Sequence, residues 1–322
     1  GCALGAPLLG GCDRVLSFAA QLLGDGIPDA FDAPRTSDLD PIFHLVSRTS
    51  FGPRPGDLEE VRRVGSSAHL DMQLEPVEID DTACELRAGV IDAATLPRSL
   101  LFELPPEQVE VEIARHALLR ATYSRRQLFE VMVELWSDHF HVALGKGACR
   151  HLLPADLRDV VRAHALGSFR ELLGASALSP SMLVYLDGRD NRVDAPGDRP
   201  NENYARELFE LHTLGVRGGY TQGDVMEAAR CMTGFVVKEK WAPGEVEFVP
   251  ELHDQGAKRV LGHTIPAGGG RSDVDRLLDI VASHPSTARH VASKLCAAFI
   301  ADDPPGRAVD DAASTFASSG GD

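Results

Sequence analysis

From Pro41 onward the chain is dense in helix-start signals followed by apolar residues at three- and four-residue steps. That pattern commits it to packed amphipathic helices. Between Ser124 and Phe140 the stripe consists of Phe129, Met132, Val133, Trp136 and Phe140. Pro106 and Pro154 sit where a helix can begin without an N–H, predicting helices to about Ala121 and His164. Asp57-x-x-Glu60, Ser124-x-x-Gln127, Ser168-x-x-Glu171 and Ser272-x-x-Asp275 have the spacing of capping boxes, and Thr221-x-x-Asp224 starts a helix that Gly234 can close. With 43% apolar residues in 322, a sizeable core can be filled. The expected fold is mostly α, a single large multi-helix domain over residues 41–322, after a linker at 13–40.

One stretch breaks the helical pattern. Phe235-Val236-Val237 and Val246-Glu247-Phe248-Val249 favour strands and flank the turn sequence Ala242-Pro243-Gly244-Glu245, predicting a small β-hairpin near 235–249. The Gly-rich run Ile265 to Gly270 lacks the Lys-Ser/Thr of a phosphate-binding loop.

Acidic residues outnumber basic ones 48 to 32, for a net charge of -16 with no basic cluster, which argues against a nucleic-acid partner. No run approaches the length of a membrane span. Gly1 to Leu9 is small, apolar and uncharged, and reads as the remnant of an export signal. Leu9-Gly10-Gly11-Cys12 resembles a lipobox whose Cys12 would carry a lipid anchor. Exported thiols can pair, yet Cys84, Cys149, Cys231 and Cys296 form no dense scaffold, and the last two fall in helical patterns that bury inert thiols. The end of the chain reads as a helix cut short.

The segment Pro200 to Gly215 carries the most chemistry. Asn201 suits an N-cap and Gly215 a C-terminal stop, with Tyr204, Leu208, Phe209, Leu211 and His212 on one apolar arc. Asn203, Arg206, Glu207 and Glu210 share the other arc. Two carboxylates one turn apart beside an Arg can bind a cation or keep one carboxyl protonated; the same face can also be solvated surface. His212 reads as a packed histidine. Asp138-His139-Phe140-His141 and His253-Asp254-Gln255-Gly256-Ala257-Lys258 offer further imidazoles and carboxylates. No G-x-S-x-G or H-E-x-x-H occurs.

Taken in order, His44 to Pro53, Trp136-x-x-His139-Phe140, Lys146-Gly147, Pro200 to Leu208, Gly219-Tyr220-Thr221, Ala229 to Phe235 and His253-Asp254-x-Gly256-x-Lys258 resemble the bacterial family DUF1800, a domain of unknown function. The resemblance implies an exported protein, often with a twin-arginine leader, whose activity is not established. Family members often carry Phe at the position of His212 and Asn at that of His141, and usually continue beyond this C-terminus. The family's motif falls on Trp136, His139, Asn201, Asn203, Arg206, Glu207, Glu210, Arg230, His253, Asp254 and Lys258.

The expectation is an exported protein of the periplasm, cell surface or medium, acting as an enzyme with hydrolysis ranked above oxidation. Glu207, Glu210 and Arg206 are the catalytic candidates, and Trp136, Asn201, Asn203, Arg230 and Lys258 the substrate-binding ones. His139, His253 and Asp254 are candidate ligands of a divalent Zn, Mn or Fe. A metal-free version pairs a raised glutamic acid with an ionised partner. The alternative is a non-catalytic envelope protein, structural or binding, in which a buried polar network holds helices in register.

Overall fold

Asp40 sets the start of the first helix, Pro41–Thr49, its carboxylate accepting from the Ile42 N–H at 2.9 Å with proline at the first helical position. The computed structural model of the chain describes residues 40–195 and 197–322, together with Leu22, a helical residue. The expected export segment 1–12 with Cys12, and the expected linker up to residue 39 apart from Leu22, lie outside the described residues. These residues fall into two compact units.

The first unit holds residues 40–96 and 107–134. Its helices include Pro41–Thr49, Asp57–Val64, Ser66–Leu74, Thr82–Ala88 and most of Pro106–Tyr123. Val46, Val61, Ala88, Ile91, Val109 and Leu128 are buried in it. The buried Asp81 carboxylate ties down the loop after Tyr123, accepting from Ser124 Oγ and Arg125 N, both at 2.7 Å. Arg120 forks onto Glu85 at 2.6 and 2.8 Å.

The second unit holds residues 97–106 and 135–322. Arg98 reaches the buried Asp156 at 2.9 Å, and Asp156 also accepts from Ser181 N at 2.9 Å. The helices Phe169–Ala177, Pro180–Tyr185, Gln222–Cys231, Ser272–Ala282, Pro285–Phe299 and Gly306–Ser319 bury Leu172, Leu173, Met182, Leu183, Val225, Val274, Leu277 and Val291. The predicted hairpin is present: β1 (Phe235–Val237) pairs antiparallel with β2 (Val246–Phe248), and Gly244 takes a φ of 81° in the turn. A second hairpin, β3 (Lys258–Val260) with β4 (His263–Ile265), was not expected.

Two local expectations change. Pro154 lies inside the helix Cys149–Asp156, which continues as a π-helical turn over Leu157–Arg162. The missing N–H falls early enough to break no long run of helical bonds. Of the five cap sequences, Thr221 forms the full reciprocal box with Asp224. Asp57 instead turns its carboxylate back to Arg54 N, and Ser272 donates to Gly269 O, because short polar side chains take whichever backbone partner the loop presents. Cys84, Cys149, Cys231 and Cys296 are free and buried. Burial pushes the Cys149 thiol up to about 11 and the Cys84 and Cys231 thiols up to about 12, so none is a ready nucleophile.

Gly188 shows how tightly the helices meet behind the candidate site. A Cβ there would lie 2.8 Å from Tyr204 Cδ1 and 2.9 Å from Leu183 Cδ2, both on fully buried side chains. Gly188→Ala is expected to lower stability by about 1–3 kcal/mol through overpacking, measured by urea denaturation.

Candidate functional site

Asn191, 1% exposed, is the anchor from which the polar segment hangs. Its Nδ2 donates to Ala229 O at 2.8 Å, and its Oδ1 accepts from Asn201 N at 2.9 Å. Asn201 Oδ1 in turn accepts from Asn203 N at 3.0 Å, and Asn203 Nδ2 donates to Leu186 O at 3.1 Å. Asn201 and Asn203 therefore build the entry to the helix.

That helix is not the uniform one expected. Residues Asn203–Glu207 are α-helical and Leu208–His212 form a π-helical turn, with Thr213 Oγ1 donating to Leu208 O at 2.6 Å. The wider turn shifts the faces. Tyr204, Leu208, Phe209 and His212 are buried as predicted, whereas Leu211 is 49% exposed. Arg206 donates to Glu202 at 2.7 Å and to Gln222 at 3.0 Å, and lies 3.9 Å from Glu210. The Glu207 carboxylate takes no hydrogen bond or ion pair from the described residues and is partly exposed. Burial first, and the neighbouring Glu210 carboxylate second, raise its carboxyl above the ordinary value, with Arg206 opposing. Burial and the Glu210 carboxylate raise the Tyr220 hydroxyl as well.

His139 belongs to a second group. Its Nε2 donates to His212 O at 3.0 Å, so Nδ1 is the bare nitrogen that accepts from Lys294 Nζ at 2.9 Å. Trp136, buried, donates from Nε1 to Ala165 O at 3.0 Å and packs edge-on against His139. Burial above all, then Lys294, drives both His139 and His212 towards the neutral form, His212 down to about 3. His290 completes the group through Leu211 O at 3.2 Å.

The third group gathers the motif around His253. Arg230 forks onto Asp254 at 2.8 and 3.0 Å and onto Glu227 at 2.8 Å. Its guanidinium holds the Asp254 carboxyl below the ordinary range. Lys258 donates to Asp273 at 2.5 Å and to Asp254 O, and His253 Nε2 stands 3.3 Å from the same Asp273 oxygen. The side chains of His253, Lys258 and Asp273 are fully buried.

The candidate residues thus divide. Glu207, Glu210 and Arg206 share one surface. Asn201, Asn203 and Trp136 give their polar groups to backbone partners, and Arg230 and Lys258 to buried or half-buried carboxylates. His139, His253 and Asp254 are not brought together as a ligand set, and no group of three or more His, Cys, Asp or Glu among the described residues could hold a metal ion. Gln222, Asp273, His290 and Lys294 were not among the candidates in the sequence, and Glu202 and Tyr220 entered only within the family motifs Pro200 to Leu208 and Gly219-Tyr220-Thr221.

No helix among the described residues is long and apolar enough to cross a membrane. A family model described as "Protein of unknown function (DUF1800)" matches residues 44–322, and the chain belongs to that family. No curated protein and no solved structure gives a significant match.

Proposed function

We propose that this member of the DUF1800 family is an exported enzyme of hydrolytic type whose acid–base pair is Glu207 and Glu210, with Arg206 beside them. The observation that carries the reading is the Glu207 carboxyl: partly open to solvent, without a hydrogen-bonding partner among the described residues, and raised by burial and by Glu210 one turn on. Such a group keeps its proton to higher pH than an ordinary carboxyl and can donate it to a leaving group, with the Glu210 carboxylate one turn on as its partner. The metal-free version of the chemistry fits these residues. The exported setting rests on the uncharged Gly1 to Leu9 run and on Leu9-Gly10-Gly11-Cys12, with Cys12 as a lipid-bearing residue. Arg230, His253, Asp254 and Lys258 support the scaffold in this reading.

The test is turnover of nitrophenyl esters and glycosides by the purified protein. Glu207→Gln is expected to reduce the rate by about 10²-fold or more at unchanged melting temperature. Activity that needs the protonated acid falls as pH rises through the Glu207 value. Glu210→Gln removes a raising charge and moves that limb to lower pH; Arg206→Gln removes the lowering charge and moves it higher. An unaltered rate in Glu207→Gln, or no turnover of any of these substrates by the parent protein, overturns the proposal.

A further inference from the structure

Lys258, His253 and Asp273 meet where water does not reach. The Lys258 ammonium lies 2.5 Å from Asp273 Oδ2 and also donates to Asp254 O, and both side chains are fully buried. Asp273 Oδ1 is buried with no hydrogen-bond partner among the described residues. It faces Gly269 so closely that a Cβ on that glycine would stand 1.9 Å from it. A buried carboxylate oxygen left unsatisfied costs free energy, more than a neutral carbonyl in the same place.

The protonation of His253 follows from its neighbours. Thr233 Oγ1 donates to Arg230 O at 2.8 Å and accepts from Asp254 N at 3.0 Å, so its proton is committed elsewhere. His253 Nδ1, 2.9 Å from Thr233 O and 3.1 Å from Thr233 Oγ1, must then carry the ring hydrogen. Nε2 is left bare. It faces both reacting groups, 3.5 Å from Lys258 Nζ and 3.3 Å from Asp273 Oδ2.

We propose that Lys258 and Asp273 join in an intramolecular amide, Nζ to Cγ, with His253 moving the proton. One proton passes from Lys258 Nζ to Asp273 Oδ2 along their hydrogen bond, leaving a neutral amine and a neutral acid. The amine lone pair attacks Cγ, forming the C–N bond and placing the carbonyl pair on Oδ1. His253 Nε2 takes a proton from the nitrogen and returns it to Oδ2, which leaves as water with its bonding pair as the carbonyl re-forms. An ammonium and a carboxylate become one amide and one water; no oxidant or reductant is needed. The product removes two buried charges and covalently ties β3 to the first turn of the helix Ser272–Ala282. Because Oδ1 has no donor to receive the developing charge, the reaction is slow and accumulates in the folded protein.

The experiment is the intact mass of the purified, denatured full chain, freshly prepared and after prolonged incubation, followed by peptide mapping. The expected result is a mass lower than the sequence mass by one water, with a branched peptide joining Lys258 to Asp273 and no tryptic cleavage at Lys258. His253→Gln is expected to slow its appearance by about a hundredfold, and Lys258→Arg and Asp273→Ala to abolish it. The full sequence mass at both times overturns the proposal whether or not any variant folds. So does a water loss that maps to a succinimide at Asp187-Gly188 instead.

Discussion

Lys258→Met is expected to lower the stability of the folded chain by about 3–5 kcal/mol, the cost of removing one partner from a buried ion pair. Lys258 is 2% exposed and Asp273 is fully buried, so the carboxylate left behind finds neither water nor a replacement cation. Its Oδ1 is already without a partner among the described residues, and Oδ2 would keep only His253 Nε2 at 3.3 Å. An amide between the two residues closes a loop spanning 15 positions, a cross-link worth about 3 kcal/mol more on the scale that applies to disulfides. Replacing both partners, Lys258→Met with Asp273→Leu, should recover much of the loss of the ion pair, because no charge is then stranded. The contrast is Arg289, whose pair with Asp310 at 2.5 Å is more than half exposed on both sides. Arg289→Met is expected to change stability by less than about 1 kcal/mol. Urea unfolding at neutral pH measures all three. A Lys258→Met loss no larger than that of Arg289→Met would show that the buried network does not hold this unit together.

Stability is also expected to fall steeply as pH drops below about 6.5, well before the carboxylates titrate. His212 carries a folded value near 3, and His139 one well below the ordinary imidazole value, both chiefly through burial. In the unfolded chain each imidazole takes up a proton near its usual 6.5. Between the two values the unfolded state binds more protons, so stability is complete above the unfolded value and is lost as pH falls towards the folded one. The groups facing these rings are Lys294, His290 and, through Lys294, Asp138; the lysine opposes protonation further. Each imidazole contributes a slope of about 1.4 kcal/mol per pH unit, and His212 a total on the order of 5 kcal/mol. His290, His284 and His69 shift the same way with less burial. His212→Phe should flatten the slope between pH 6 and about 4.5 by roughly one proton's worth, since the ring makes no side-chain hydrogen bond among the described residues that Phe would lose. Equal slopes in the two proteins would sink the assignment of His212 as a buried neutral base.

The helical fold was legible because its cause is local. Stripes such as Phe129 to Phe140, and breaks such as Gly215 at a φ of 79°, follow from backbone sterics and spacing within a few residues. The first hairpin was legible for the same reason: two β-branched or aromatic runs around a turn sequence. The second was not. Lys258–Val260 and His263–Ile265 are three-residue strands of mixed character. They are held by the neighbouring helix, whose Glu227 accepts from Arg259 N and whose Asp224 accepts from Leu261 N, at 2.8 and 2.7 Å. Leu211 was misplaced because a π-helical turn is invisible to a pattern that assumes one constant period.

Among the polar residues, the sequence by itself determined which types are present, and that Arg206, Glu207 and Glu210 share one helix face. It also sufficed to place His212 in the core and to read the family from ordered motifs. Only the tertiary structure decided what each polar group does. His139 meets Lys294 across 155 residues, and Lys258 meets Asp273 through a loop whose close approach at Gly269 no spacing rule predicts. The physical reason is that a charge or an imidazole takes its chemistry from burial and from the nearest opposite or like charge. Those neighbours come from segments far apart in the chain, brought together by packing of apolar faces that carry no record of the polar contacts they will enclose.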